Sequence, residues 1–451
     1  MAGQTNEREV ILDILLAIDK EQVYSHIAIS DTLKKYQFLD KKIRSFITKV
    51  VEGTIEYQIR LDYILDQVSK IKMKKCKPVI RNLLRMSAYQ ICFLQQIPDS
   101  ASCNEAVKLA KKRGFSSLTG FVNGVLRNVS RQKDHIKYPD ETNDPIHYLS
   151  IFYSMPEWMI KEWLPLYGYD TVKKMLAAFL EEKKTTIRCH TSKISMEQLK
   201  QRLEEEHIEV SPCQYVKEAY TIQRYNYMQK IKAFREGLFQ VQDQSSMLVI
   251  KVAAPQRGDH VIDVCAAPGG KSFHCAEELK GTGLVIARDI TQYKVSLMQE
   301  NQERTGYDNI KIEQQDACEL VKEDIQTADI VIADLPCSGL GIIGKKKDIK
   351  YKMSKQQQQQ LVQLQRNILS VVYQYVKVGG TLVYSTCTIN QEENENNRAW
   401  ILENLPLQAV DMDDVLPEQL KGKTTKDGYI QLLPGVHDCD GFFIAKFKRI
   451  G

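Results

Sequence analysis

The segment DVCAAPGGKSFHC, residues 263–275, passes from strand-like apolar residues into Pro-Gly-Gly and then into Lys and Ser. A phosphate-binding P-loop needs Gly-x-x-x-x-Gly-Lys-Ser/Thr, but the position of its first glycine holds Cys265. The dinucleotide fingerprint Gly-x-Gly-x-x-Gly is absent as well. The segment instead predicts a glycine turn that follows a strand and opens a helix near Lys271. Such a turn lets a ligand approach the backbone closely, and the helix N-terminus favours a carboxylate.

Two acidic residues follow the next two strand-like segments. Asp289 ends VIARD, 19 residues after Gly270, and an acid at that distance suits the hydroxyl pair of a ribose. Asp316 follows IKIEQQ, where an acceptor could meet an adenine amino group. Open α/β sheets bind ligands at the carboxyl ends of their strands. The pattern predicts a nucleoside with an amino-acid tail, S-adenosylmethionine; the alternative is that each acid is only a loop residue or a helix cap.

Two cysteines follow the fourth and fifth predicted strands. Cys337 stands in DLPCSG and Cys387 in STCT, 50 residues later, so both should reach neighbouring strand ends beside the methyl donor. Methylases of amino groups usually carry an aromatic residue at the fourth strand end, where its ring stacks on the base. A cysteine at that place favours a carbon atom as the methyl acceptor.

Carbon 5 of cytosine is too poor a nucleophile to take a methyl group directly. A thiolate that adds to carbon 6 makes carbon 5 nucleophilic, and the thiolate must leave afterwards. The thiol must be activated, since free cysteine has a pKa of about 8.5. An acid must hold the protonated ring nitrogen, and Asp334 is positioned for this role. The target base must be unpaired or flipped out of a helix.

The elements that position these residues form an alternating pattern from residue 236 onward. The predicted strands are HVIDVCA, LVIARDI, IKIEQQD, DIVIADL, TLVYSTCT and GFFIAKFK. Helical segments separate most of them, which predicts an α/β domain with a doubly wound, largely parallel sheet over 236–451. The glutamine run at 356–360 is followed by apolar residues at helical spacing and is interpreted as the solvated start of a helix.

Two further regions precede that domain. Residues 1–140 predict an all-α domain of six or seven helices; in the first, apolar residues recur at positions 10, 11, 14, 15 and 18. The stretch YPDETNDP at 138–145 is typical of a linker. Residues 141–235 then predict a small α+β subdomain, with strands TTIRCHT and AYTIQR and a helix that begins near Ser195 or Met196.

The charge is unevenly distributed along the chain. Residues 1–140 contain 24 Lys and Arg against 15 Asp and Glu, an excess of nine positive charges, whereas the whole chain carries only +5. This asymmetry favours a polyanionic partner for the N-terminal domain, with a solvated basic surface as the alternative. Basic residues cluster at 70–77 and 111–113.

The composition limits the class of protein. At 43% hydrophobic and 26% charged residues, the 451-residue chain is typical of a globular protein. It has no secretory pattern and no apolar run of about 18 residues, so we expect a cytoplasmic protein without a membrane span. Eleven cysteines without any Cys-x-x-Cys pair predict reduced thiols and no metal site. We further expect a monomer.

In combination, DVCAAPGGKS, ADLPCSGLG, YSTCTINQEEN and DGFFIAKFKR resemble the RNA cytosine-C5 methyltransferases. GLFQVQDQSS at 237–246 resembles the segment that precedes the first strand in that family, and the basic N-terminal helices resemble the NusB-like RNA-binding domain. This pairing resembles the bacterial 16S rRNA cytosine methyltransferases of the B type. It implies a class I Rossmann-like methyltransferase domain, an RNA-recognition-like middle subdomain and methylation of 16S rRNA, of the cytosine-967 type.

The resemblance also implies residue roles. Cys387 would be the nucleophile, whereas DNA cytosine methylases use the cysteine of the Pro-Cys motif. Cys337 would assist release of the product, and Asp334 would serve both catalysis and cofactor binding. The cofactor-binding residues implied are Cys265, Ala266, Ala267, Pro268, Gly269, Gly270, Lys271, Asp289, Asp316 and Asp334. One departure is that IIGKKKDIKYK, at 342–352, lacks the proline that the family often has there.

Two other functions stay open on the sequence. One is a non-catalytic RNA-binding or antitermination factor that carries a relic methylase fold, which would bind no methyl donor. The other is a methylase that acts on DNA or on tRNA.

Overall fold

The computed structural model describes residues 6–21 and 23–451. By their contacts the residues form two units. One extends to Glu181 and also contains Ile343–Lys352; the other consists of Glu182–Ile342 and Met353–Gly451.

The α-helices of the described residues are, in chain order, α1 Glu7–Glu21, α2 Ser25–Lys35, α3 Lys41–Glu56, α4 Gln58–Val68, α5 Pro78–Phe93, α6 Asp99–Lys112, α7 Thr119–Gln132, α8 Pro145–Tyr153, α9 Glu157–Tyr167, α10 Tyr169–Leu180, α11 Met196–Glu205, α12 Lys232–Arg235, α13 Gln244–Ala253, α14 Gly270–Glu278, α15 Gln292–Thr305, α16 Ile349–Lys352, α17 Lys355–Val372, α18 Glu395–Asn404 and α19 Lys423–Lys426. The strands are β1 Thr185–Cys189, β2 Glu209–Pro212, β3 Ala219–Gln223, β4 Phe239–Val241, β5 His260–Asp263, β6 Leu284–Asp289, β7 Ile310–Gln314, β8 Ala328–Asp334, β9 Val376–Thr386, β10 Leu407–Ala409, β11 Tyr429–Leu432 and β12 Phe442–Arg449.

The first unit is helical, and α1–α7 lie where the sequence predicted helices. The apolar stripe of α1 is buried at all five predicted positions, from Val10 to Ile18. Pro78 is the first residue of α5, where its missing N–H costs no hydrogen bond. Helices α8–α10 were not predicted, and they group with this unit. The domain boundaries at residues 140 and 235 stay predictions.

We call Ile343–Lys352 the strap, because it completes the helical unit although it is distant in sequence. Asp348 accepts hydrogen bonds from the backbone N–H (2.8 Å) and the hydroxyl (2.9 Å) of Ser25, the first residue of α2. Lys352 forms an ion pair with the same carboxylate, at 2.8 Å. An acid at the start of a helix satisfies an N–H group that has no partner within the helix, and its charge suits the helix dipole.

The strap also binds the ends of two other helices. Lys350 is buried and donates to the carbonyl oxygens of Glu56 (2.8 Å) and Ser154 (2.6 Å), which lie at the C-terminal ends of α3 and α8. Lys347 forms an ion pair with the Glu56 carboxylate. An amino group at helix C-termini donates to carbonyl groups that the helix cannot pair. The departure from the family pattern at 342–352 therefore falls in a segment with a structural role in the helical unit.

The second unit contains a four-stranded antiparallel sheet in the order β2-β3-β1-β4. The predicted strands TTIRCHT and AYTIQR are β1 and β3. Helix α11 begins at Met196, and Ser195 caps it by a reciprocal pair of hydrogen bonds with Gln198. The strand β4 pairs with β1, although the sequence analysis assigned residues from 236 onward to the catalytic domain.

The larger sheet has the order β10-β12-β9-β8-β5-β6-β7, with β11 paired to β12. Neighbours from β9 to β7 are parallel, and β12 is antiparallel to β9. All six predicted strands are present, as β5–β9 and β12. The glutamine run lies in the first turns of α17, as predicted. The predicted doubly wound, largely parallel sheet is thus confirmed, and it brings the ends of β5–β9 to one edge.

Within the described residues, no helix is both long and apolar enough to cross a membrane. In the same residues, no group of three or more His, Cys, Asp and Glu side chains could hold a metal ion.

Candidate active site at the carboxyl edge of the large sheet

The loop after β5 makes a tight turn into α14. The Ala266 N–H donates to the Arg288 carbonyl at the end of β6 (2.8 Å), and the Gly269 N–H donates to the Ala266 carbonyl (2.7 Å). Gly269 has φ of +101°, and a Cβ there would lie 2.3 Å from the Phe273 ring. Only glycine fits this turn without strain. Helix α14 begins at Gly270, one residue before the predicted start.

The structure brings the predicted acids to this loop. Asp289 is buried at the end of β6. It accepts a hydrogen bond from the Ala267 N–H (3.1 Å) and forms an ion pair with Lys294 (2.9 Å). Asp316 lies two residues beyond β7, whose last residue is paired in register with Asp289. The Asp316 carboxylate accepts a hydrogen bond from the Cys318 N–H, at 2.9 Å. Both acids therefore lie at the edge where the sequence predicted them.

These residues fit S-adenosylmethionine. The left-handed Gly269 allows the tight turn into α14, and the start of α14 presents N–H groups suited to a carboxylate. Asp289 has two carboxylate oxygens at the end of β6 that could accept hydrogen bonds from a ribose, and Lys294, about half exposed, pairs with one of them. Cys265 contributes bulk and not chemistry, since burial raises the pKa of its thiol well above the ordinary value.

The two predicted cysteines meet at the ends of β8 and β9. Their Sγ atoms lie 3.2 Å apart, within sulfur hydrogen-bond distance. The strands are parallel neighbours, with Asp334 in register with Ser385, so each loop begins at the same level. The hydrogen bond to Cys387, together with burial, raises the pKa of Cys337 well above that of a free thiol. Cys337 therefore keeps its proton at neutral pH.

Asp334, the last residue of β8, contacts the start of α14 and the end of β9. One carboxylate oxygen accepts from Lys271 Nζ (2.6 Å), and the other accepts from the Ser385 hydroxyl (2.7 Å). About a quarter of the Asp334 side chain is exposed, which leaves an approach for a substrate. The predicted catalytic acid and the predicted cofactor-binding lysine are thus ion-paired.

Sequence reasoning missed other polar residues at this edge. Asp263 is fully buried, and burial raises its pKa to about 7, opposed by a hydrogen bond from the Ser272 hydroxyl. Glu393 is also fully buried, and it accepts hydrogen bonds from Ser338, the residue after Cys337. Glu393 and Ser338 stand inside the motifs quoted above, but only their spatial contacts give them a role.

Three family profiles match the chain. Residues 250–448 match the family described as 16S rRNA methyltransferase RsmB/F, residues 5–131 match the NusB family, and residues 155–228 match the ferredoxin-like domain of the RsmF/B-like methyltransferases. A probable ribosomal RNA small subunit methyltransferase B from Bacillus subtilis is 35% identical and covers 99% of this chain and 100% of its own length. The chain belongs to the ribosomal RNA small subunit methyltransferase B family.

Other relatives agree with this assignment. A protein of the same description from Synechocystis is 30% identical over 98% of this chain and 99% of its own length. The ribosomal RNA small subunit methyltransferase B of an Escherichia coli strain is 28% identical over 92% of each chain. The crystal structure of PH0851 shares the fold, with a TM-score of 0.81, 24% identity and 99% of both chains covered.

A chain of this family is an S-adenosylmethionine-dependent RNA methyltransferase. The predicted NusB-like domain and methyltransferase fold are confirmed, and the predicted small α+β subdomain is matched by a ferredoxin-like family model. The alternative of a non-catalytic antitermination factor is not supported, since relatives over nearly the whole chain are described as ribosomal RNA methyltransferases.

Proposed function

We propose that this protein methylates carbon 5 of one cytosine in 16S rRNA through a covalent bond between Cys387 and carbon 6. The observation that carries the proposal is the 3.2 Å contact between two thiols at neighbouring strand ends, beside an ion-paired aspartate. A methyltransferase acting on an amino group or on oxygen needs neither sulfur. The position implied by the resemblance is the equivalent of cytosine 967.

In this mechanism the Cys387 thiolate bonds to carbon 6 as ring nitrogen 3 takes up a proton, which Asp334 holds by a hydrogen bond and which ring nitrogen 3 loses again when the base is released. Bound S-adenosylmethionine supplies the electrophilic methyl group that carbon 5 takes up. A base then removes the carbon-5 proton, the bond between sulfur and carbon 6 breaks, and Cys387 leaves as a thiolate. Cys337 keeps its proton for the reasons given above, so it suits donation of that proton to the departing Cys387 thiolate, 3.2 Å away, and not the first attack; the proton removed from carbon 5 restores it.

Cys387→Ala tests the nucleophile directly. The change removes the sulfur that bonds to carbon 6, so we expect methyl transfer to 16S rRNA to fall below detection while S-adenosylmethionine still binds. Tritium transfer from the labelled donor and calorimetric binding of the donor measure these two properties. Cys92→Ala, a partly buried cysteine of α5, is the control and should retain full activity. Normal transfer by the Cys387 variant would overturn the proposal.

Cys337→Ala tests product release. Without its proton transfer the covalent protein–RNA adduct should accumulate, and a denaturing gel should show it as a slow band that contains labelled methyl groups. The band should be absent when Cys387 is also replaced. Unchanged turnover without any adduct would contradict the release role.

The helical unit is proposed to contact the RNA backbone. The segment between α4 and α5 has five exposed lysines, at positions 70, 72, 74, 75 and 77. In the second basic cluster, by contrast, Lys112 and Arg113 form ion pairs with Glu9. Changing Lys72, Lys74 and Lys75 to Gln should weaken RNA binding and make its salt dependence shallower. For single-stranded RNA the log–log slope should change by about 0.7 for each phosphate that the variant no longer neutralises. Replacing the exposed pair at positions 34 and 35 is the control.

The substrate class needs its own comparison. Tritium transfer to 16S rRNA, tRNA and DNA, measured side by side, should favour 16S rRNA, and mapping of 5-methylcytosine in cells with and without the protein identifies the nucleotide. A ribosomal RNA substrate favours the cytoplasmic location expected from the sequence.

The oligomeric state is a separate expectation. The sequence analysis expects a monomer, and light scattering of the purified protein can check it.

A further inference from the structure

Behind the two thiols lies a group of polar side chains that we call the clamp. Its members share hydrogen bonds to one carboxylate or to each other, and they are Ser338, Gln365, Thr388, Asn390 and Glu393. The central residue is Glu393, which has no exposed surface. The mechanism proposed above assigns it no step.

The Glu393 carboxylate holds both thiol loops. One oxygen accepts from the Ser338 backbone N–H at 2.9 Å, and the other accepts from the Ser338 hydroxyl. Asn390, three residues after Cys387, donates to Glu393 at 3.0 Å. Ser338 and Thr388, the residues that follow the two cysteines, also share a 2.7 Å hydrogen bond.

The clamp is fixed to a rigid element on a third side. Gln365, buried in α17, donates to Glu393 (3.0 Å) and to the Pro336 carbonyl (2.8 Å), immediately before Cys337. Asn397 of α18 donates to the Gln365 oxygen at 2.7 Å. A satisfied network of this kind restricts its members to one arrangement, whereas a missing member leaves the others unpaired.

The charge of the clamp also bears on the thiols. The donors to the Glu393 carboxylate named above are uncharged, and burial raises its pKa while the hydrogen bonds from Ser338 and Gln365 oppose that rise. Its negative charge contributes to the raised pKa of Cys337, after the hydrogen bond to Cys387 and burial. Glu393 therefore acts on sulfur geometry and on the proton of Cys337 without contacting either sulfur.

We propose that Glu393 is a positioning residue that sets the separation of the Cys337 and Cys387 sulfur atoms by holding the loop after each. The proposal rests on the proposed function, because a fixed sulfur pair matters only if both thiols act on one base. It predicts that the loss of Glu393 impairs the thiol pair more than it impairs binding of the methyl donor.

The test compares Glu393→Gln with Glu392→Gln, a matched change at the exposed neighbouring residue. Glutamine keeps the volume but turns an amide N–H toward donors that need an acceptor. We expect kcat to fall at least tenfold in the Glu393 variant, with KM for S-adenosylmethionine within twofold of the wild type. Glu393→Asp, which keeps the charge but is shorter, should be intermediate. The Glu392 variant should match the wild type.

The rate of disulfide cross-linking reports on the separation of the two sulfur atoms in the absence of RNA. Diamide takes up the two electrons and two protons of Cys337 and Cys387 as they form a disulfide, and peptide mass mapping measures the rate. We expect fast cross-linking in the wild type, since the sulfurs are 3.2 Å apart, and at least tenfold slower cross-linking in the Glu393→Gln variant. The pH midpoint for alkylation of Cys337 should also fall in this variant.

Two outcomes are decisive. If Glu393→Gln leaves both turnover and the cross-linking rate unchanged, Glu393 does not position the thiols. Methyl transfer by the Cys387→Ala variant would refute the proposed function instead, and the cross-linking rates would still report on the clamp alone.

Discussion

Two consecutive stretches of chain follow β8, and each buries charge in a different way. The clamp residue Ser338 meets one buried carboxylate, Glu393, whose donors described above are all neutral. In the strap, Asp348 and Lys350 bind the ends of helices, and Asp348 also has an oppositely charged partner.

This difference predicts that the strap contributes to stability, whereas the clamp contributes to the reaction. In the strap, a carboxylate and a lysine amino group satisfy groups that helices leave unpaired, so their loss should lower the stability of the helical unit. In the clamp, a single carboxylate with neutral donors lies behind the reacting sulfurs, so its loss should change the reaction more than the stability. Substitutions in the two segments test this distinction, because they should change stability and activity by different amounts.

Asp348→Ala should have the largest effect on stability. It leaves Lys352 without its buried partner and the Ser25 N–H without an acceptor, which should cost about 3 kcal/mol in the free energy of unfolding of the helical unit. Denaturant unfolding and hydrogen exchange of the α2 amides measure this cost. Asp31→Ala, an exposed acid on α2, is the control and should stay within about 0.5 kcal/mol. Equal effects of the two changes would contradict the role of the strap.

Lys350→Met should change how stability depends on pH. Burial lowers the pKa of Lys350 to about 7, far below its ordinary value of 10.5, although the charge of Glu56 opposes this. Between those two values the unfolded chain binds a proton that the folded protein does not, so this contribution to stability rises with pH and is lost as pH falls toward 7. The wild type should therefore gain about 1 kcal/mol per pH unit over the variant between pH 7.5 and 9.5. Parallel stability curves would show that Lys350 is protonated in both states.

Ser338→Ala should have the smallest effect on stability but a clear effect on activity. It removes the hydroxyl bonds to Glu393 and Thr388 and keeps the backbone N–H, so we expect a loss of about 1–2 kcal/mol. Methyl transfer at saturating substrate should nevertheless fall severalfold, since the loops lose one link. Ser370→Ala, on the exposed side of α17, should change neither property. A purely structural clamp would lower stability without changing kcat of the folded protein.

Sequence patterns predicted the elements that depend on local periodicity. The α1 stripe and the β5–β9 strands could be predicted because apolar spacing determines which face is buried. The strands β2, β4, β10 and β11, of three or four residues each, were missed; β5 is as short but was predicted because the apolar pattern of HVIDVCA continues beyond it. Asp40 precedes α3, but its side chain makes no capping hydrogen bond.

The candidate site was predictable where a motif places a residue at a strand end. Asp289, Asp316 and Cys337 follow from strand order alone, because parallel strands deliver their carboxyl ends to one edge. Glu393 and Lys350 could not be predicted, since their partners are distant in sequence and are brought near only by the tertiary fold. The sequence shows an acid in a polar turn and a lysine in a basic run, both of which usually indicate exposed surface.

The strap has a consequence for how the protein is made. Domains near the N-terminus generally fold first during synthesis, but here α2, α3 and α8 receive partners from Asp348 and Lys350. A ribosome must therefore translate about 170 further codons after Glu181 before this domain can finish assembling. A truncated gene product that stops at Glu181 would emerge with three frayed helix ends and would be an early target for proteases.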